Sequence, residues 1–217
     1  MTLVRKQAPL PETAEELCRI GERLGVPAAE ILPGTAATET AVKQLSERGM
    51  LIQHRVVHFA THGALARQLG KTFAEPGLLL TPPAKDTVDP AALERDDGYL
   101  SASEIATLKL NADWVILSAC STAGGQRAGE DAEALSGLAR AFFYAGARAL
   151  LVSHWAVHTE ASVKLTTGAF SALTADRAIG RAEALRRAMK DLIASGRPEE
   201  AHPEYWAPFV VVGDGAQ

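Results

Sequence analysis

Two cysteines in 217 residues, Cys18 and Cys120, are too few and too widely spaced for a disulfide framework, and they fit no zinc-ribbon pattern. A reducing compartment, the cytoplasm, is the simplest expected setting. Aromatic residues make up only 6% of the chain, and no basic stripe with interleaved aromatics occurs. Lys and Arg (22) nearly balance Asp and Glu (26), giving a net charge of −4 and no electrostatic case for a nucleic-acid partner. No apolar run reaches the length of about 18 residues needed to span a bilayer, and no signal-peptide pattern opens the chain. No membrane partner is expected. Internal repeats and low-complexity tracts are also missing, which excludes a solenoid within these residues.

What is present suits one substantial core: 47% hydrophobic and 22% charged residues over a length compatible with a single domain, 1–217. Helical periodicity runs over 11–24, within an N-terminal helical lead-in of about 1–30, and again over 38–48, closed by Gly49. A short strand is expected near 30–32 and a buried strand over 55–61. Between 64 and 98, Pro76, Pro82, Pro83 and Pro90 mark a long loop, with a small hairpin pairing Gly77-Leu78-Leu79-Leu80 with Gly98-Tyr99-Leu100. Ser101 followed by Glu104 is a capping box opening a helix to about 108. Further strands are expected over 113–119, 148–153 and 209–212, and helices over 131–144, 159–173 and 176–194. This alternation predicts an α/β fold, a three-layer α/β/α sandwich around a mainly parallel sheet.

Two of these strands stop at reactive residues. Val56-Val57-His58-Phe59-Ala60-Thr61 leads to His62, and Trp114-Val115-Ile116-Leu117-Ser118-Ala119 leads to Cys120. In an open parallel sheet, side chains that follow buried strands arrive at the same carboxyl edge. A thiol attacks as thiolate, and a neighbouring imidazole both lowers its pKa and returns a proton to the leaving amine. Gly63 allows close backbone approach, and its N–H is a candidate oxyanion donor. A cysteine alone is more often a small buried hydrophobe, and Cys18, inside the first helix pattern, is read as core or surface packing. The paired placement of Cys120 and His62 favours a dyad.

His54, His58 and His62 recur every four residues, yet no Glu intervenes as in a zincin helix and no other ligand falls at metal spacing, so no metal is expected. His58 is read as a buried, hydrogen-bonded strand residue. Gly124-Gly125 lacks the phosphate-loop pattern, and no Gly-x-Ser-x-Gly elbow occurs.

These motifs resemble the CHAT branch of the caspase-like cysteine peptidases, domains often fused to tetratricopeptide repeats. The resemblance rests on His-Phe-Ala-Thr-His-Gly at 58–63, Leu-Ser-Ala-Cys-Ser-Thr at 117–122 and Gly129-Glu130. It continues through Leu138 to Ala147, Ser153-His154-Trp155 and His202 to Val210, covering about 32–214. It implies His62 as general base and acid, Cys120 as nucleophile, and the N–H groups of Gly63 and Cys120 as oxyanion donors. The dyad residues stand 58 positions apart, near the roughly 50 of caspases. The Ser-Ala-Cys-Ser context differs from that of true caspases, so aspartate specificity does not carry over.

The resemblance also implies a substrate strand lying near Ser153 and Trp155. His154 and His158 depart from the family there, which more often reads Ser-Leu-Trp followed by an acidic residue at 158. Glu130, Asp131 and Glu133 suit the first turn of a helix electrostatically. By analogy with separase-like relatives, Asp131, supported by Glu130, is the candidate pocket for a basic P1 side chain. The expected function is cysteine endopeptidase in regulated proteolysis, without cofactor, acting on a protein or peptide substrate under an upstream sensor or helical-repeat partner. The competing expectation is an interaction module, or a zymogen awaiting a partner.

Overall fold

Within the runs 55–61 and 113–119, Val56–Phe59 and Trp114–Leu117 settle as adjacent parallel strands. The computed structural model describes residues 4–64, 74–83, 96–118, 130–154, 158–195 and 197–216, with only the backbone of 130–136. Seven strands are described: β1 (Val56–Phe59), β2 (Gly63–Ala64), β3 (Gly77–Leu79), β4 (Tyr99–Ser101), β5 (Trp114–Leu117), β6 (Ala149–Ser153) and β7 (Phe209–Gly213). Seven α-helices accompany them: α1 (Pro11–Leu24), α2 (Glu39–Glu47), α3 (Ala102–Ile105), α4 (Glu130–Tyr144), α5 (Thr159–Ala175), α6 (Arg181–Ser195) and α7 (Pro203–Trp206).

The main sheet has the order β1-β5-β6-β7. Its first three strands are parallel and β7 is antiparallel to β6, which makes the sheet mainly parallel as expected. Strand side chains alternate between faces. Phe59, Val115, Leu117, Leu150 and Val152 join one core with Val42 of α2 and Leu138 and Phe142 of α4. Trp114, Ile116, Ala149, Leu151 and Phe209 join the other with Ala161 and Leu165 of α5 and Ala184 and Leu185 of α6. Ring contacts mark both faces, Phe59 on Phe142 at 5.6 Å and Trp114 edge-on to Phe170 at 5.1 Å. The α/β/α sandwich follows from this two-sided burial.

The hairpin expected inside 64–98 is present, with β3 antiparallel to β4. A third strand, β2, joins it through the Gly63–Leu78 and Ala64–Gly77 pairs. Two small residues carry no strand periodicity, so only the neighbouring edge of β3 reveals them as a strand. Local signals fix several helix ends. Thr38 Oγ1 accepts from the Ala41 N–H at 3.0 Å, and the Ser101–Glu104 capping box is complete. Buried Glu39 accepts from the backbone N–H groups of Asp97 and Gly98, tying α2 to the approach to β4.

Beyond shifts of one or two residues at strand and helix ends, three segments differ from expectation. Around 30–32 the chain forms a 3₁₀ turn, Ala28–Glu30, in place of a strand. Pro27 and Pro33 flank it, and Ile31 packs against Gly21 of α1, where an added Cβ would lie 2.7 Å from Ile31 Cδ1. Helix α6 begins at Arg181 instead of 176, because Asp176 ends α5 and its side chain accepts from the Ala178 N–H at 3.2 Å. Helix α3 stops at Ile105, short of 108, in tighter i→i+3 turns such as Leu108 N–H to Ile105 O.

Candidate active site

Strands β1 and β5 pair in register, with Phe59 opposite Leu117. The Ser118 N–H extends the ladder by donating to Phe59 O at 3.3 Å. The chain therefore leaves both strands at one edge, three residues before His62 on one side and three before Cys120 on the other. Parallel neighbours stand about 4.8 Å apart. Cys120 lies outside the described residues.

His62 is half-buried in the connection from β1 to β2. Its Nε2 lies 2.9 Å from the carbonyl oxygen of Ala8, in the lead-in before α1. A carbonyl only accepts, so Nε2 carries the proton, and in the neutral ring Nδ1 is the nitrogen with a free lone pair. The His62 carbonyl accepts from the Leu79 N–H at 2.8 Å. By antiparallel alternation, the next pair, Gly63 with Leu78, is the unbonded kind, and the Gly63 N–H turns away from β3. The small sheet thereby fixes the backbone on which both His62 and Gly63 sit.

The Ala8 contact had no signal in the sequence, since a backbone carbonyl is common to every residue type. The lead-in that supplies it is anchored upstream. Val4 is buried with Ala64, Leu79 and Tyr99 of the small sheet, and the Arg5 guanidinium donates to Pro83 O.

Beneath the same edge lies a buried polar cluster. His58 Nε2 is 2.8 Å from Ser118 Oγ and 3.5 Å from Glu16 Oε1 of α1. Ser162 of α5 donates to the same Glu16 oxygen at 2.7 Å. Burial pushes His58 down to about 4, so its imidazole is neutral at physiological pH. Burial raises the Glu16 carboxyl above its usual range, against hydrogen bonds from Ser118 and Ser162 that pull it down. The three histidines spaced by four thus reach different surroundings: Glu30 at 3.8 Å from His54, this cluster for His58, and Ala8 for His62.

Ser153 is 1% exposed, pairs with Phe209 of β7, and directs its hydroxyl to Leu117 O at 3.5 Å. His154 is exposed, and its N–H donates to Pro208 O at 3.0 Å. His158 precedes α5 and stacks on Tyr205 with ring centroids 4.3 Å apart. Trp155 lies outside the described residues, as do the side chains of Glu130 and Asp131, whose backbone opens α4. Cys18 is an exposed free thiol. Among the described residues no helix is long and apolar enough to cross a membrane.

The family model of the CHAT domain matches residues 3–214. Tetratricopeptide repeat protein 28 of Mus musculus is similar at 27% identity over 227 aligned positions, covering 94% of this chain and 9% of that protein. Its Homo sapiens counterpart is 26% identical, again over 94% of this chain and 8% of that protein. The chain thus spans less than a tenth of the length of these relatives.

Proposed function

Because the chain belongs to the CHAT domain family, whose fold is caspase-like, we propose that it is a cysteine endopeptidase working through His62 and Cys120. The observation that carries this reading is the shared carboxyl edge of β1 and β5, with His62 Nε2 held by Ala8 O. In the reaction His62 Nδ1 takes the Cys120 thiol proton, and the thiolate attacks the scissile carbonyl carbon. The tetrahedral oxyanion meets the N–H groups of Gly63 and Cys120. Collapse forms a thioester and breaks the C–N bond, with the imidazolium proton passing to the leaving amine. Water, deprotonated by the same imidazole, then attacks the thioester carbonyl; the C–S bond breaks to release the acid, and the imidazolium proton returns to the Cys120 sulfur.

Asp131, with Glu130, is the proposed acceptor for a basic P1 side chain, and the segment around Ser153 and Trp155 the proposed wall for the substrate strand. Ser153 contributes by shaping the strand end, since its hydroxyl is turned inward. Its relatives are repeat proteins, which supports control by helical repeats, in the same polypeptide or a separate partner, and a role in regulated proteolysis of defence or cell-death type. A reducing, cytoplasmic setting suits a thiol nucleophile.

Cleavage mapping on a peptide library by mass spectrometry, parent against Cys120→Ala, tests the reading. Cleavages confined to the parent support it and reveal P1 directly. His62→Ala is expected to lower turnover by about a hundred- to ten-thousand-fold. Identical peptide profiles for parent and Cys120→Ala, together with Cys120 alkylation no faster than that of Cys18, would favour an interaction module instead.

A further inference from the structure

Glu16 is an anomaly of the α1–α5 interface, a carboxyl only 3% exposed on a helix whose other acids face solvent. Burying it costs stability unless its oxygens are matched, and an apolar residue of similar size would pack there more cheaply. Its partners come from three other segments: Ser162 of α5, His58 of β1, and Ser118 just past β5. Such a contact discriminates sharply between positions of a helix, since a small slide leaves several buried polar atoms unpaired at once. Eight residues upstream on the same segment is Ala8, whose carbonyl meets His62. Val4 anchors the far end of that segment on the small sheet. Residues 4–16 therefore form a strap pinned at both ends, with the His62 contact between the pins.

We infer that Glu16, through His58, Ser118 and Ser162, is a positioning residue that seats α1 so that the Ala8 carbonyl meets His62 Nε2. The catalytic consequence rests on the proposed peptidase reading, while the seating itself does not. It also accounts for the first histidine of the His-Phe-Ala-Thr-His-Gly motif, which the dyad leaves unused: His58 is the strand's half of the seat. A merely supportive carboxyl would be replaceable by a hydrophobe. A positioning carboxyl is replaceable only by a group that keeps its hydrogen bonds.

The test compares the full chain with Glu16→Leu and Glu16→Gln, following amide hydrogen exchange and Cys120 alkylation by iodoacetamide at neutral pH. His58→Leu serves as a second variant should Glu16→Leu fail to fold. In Glu16→Leu, amides of residues 7–13 are expected to exchange about tenfold faster while those of β5 and β6 keep their protection. Cys120 alkylation is expected to fall by about tenfold with Cys18 unchanged, and Glu16→Gln to retain parent rates in both readouts. Parent-like exchange over 7–13 in Glu16→Leu, or faster exchange there with undiminished Cys120 reactivity, overturns the positioning role. If Cys120 of the parent reacts no faster than Cys18, it is the peptidase reading that fails, and the exchange over 7–13 alone decides whether Glu16 seats the strap.

Discussion

At the scale of single residues, two histidines four positions apart in one motif do different work because of what surrounds them. His62 is half-buried beside a carbonyl, whereas the His58 side chain is only 10% exposed and is held neutral by burial. With an ordinary value of 6.5 and a folded value of about 4, His58 resists a proton that the unfolded chain accepts across that window. Stability therefore falls as pH drops from 6.5 towards 4. Glu16 has the opposite sign: its raised pKa favours the fold at low pH and loses that contribution as pH rises through the folded value. Urea unfolding of parent and His58→Gln at a series of pH values separates the two, since only the parent should show the His58 slope. Parallel curves for both proteins would refute the assignment. The identity of His58 was legible as a buried strand residue, but its partner on α1 was not, because nothing local marks Glu16 as different from Glu12 or Glu15.

Elements form here where local signals agree with packing. The Ser101–Glu104 capping box opens a helix only four residues long, α3, directly from β4, so its cap also steadies the small sheet under Gly63. Ser101→Ala is expected to cost about 1 kcal/mol, read as a lower denaturation midpoint with an unchanged m-value. Gly146, which ends the turn after α4, has φ +105°, and an added Cβ would lie 2.4 Å from Leu110 O. Gly146→Ala should destabilise by about 1–3 kcal/mol or more, since strain and collision act together. A midpoint equal to that of the parent would show that the turn relaxes freely. The periodic helices over 11–24 and 131–144 could be read from sequence because their apolar spacing is long and regular. The turn at 28–30 could not, since Ile31 and Leu32 look like a strand until Gly21 is seen beneath Ile31.

For the molecule as a whole, the sheet separates two cores that share its strands but not their side chains. Phe142→Ala on one side is expected to cost about 3–5 kcal/mol and Leu165→Ala on the other about 2–5 kcal/mol. With the sheet between them, the double variant should be additive within about 0.5 kcal/mol. A larger coupling by chemical denaturation would mean that the layers relax through the strands. Both core layers hold β1 and β5 from opposite faces, which fixes the strand ends at Phe59 and Leu117 from which the chain runs on towards His62 and Cys120.

The sequence by itself determined the strand-and-helix alternation and the two strand ends that deliver His62 and the segment carrying Cys120, since both are short-range patterns of apolar spacing and reactive side chains. Tertiary structure alone decided that Ala8 reaches His62, that Glu16 is buried against His58, Ser118 and Ser162, and that two small residues after His62 become a strand. Each of these depends on segments distant in the chain meeting in space, through a backbone carbonyl, a buried carboxyl or a strand edge. Such groups acquire their chemical meaning only from the neighbours the fold provides.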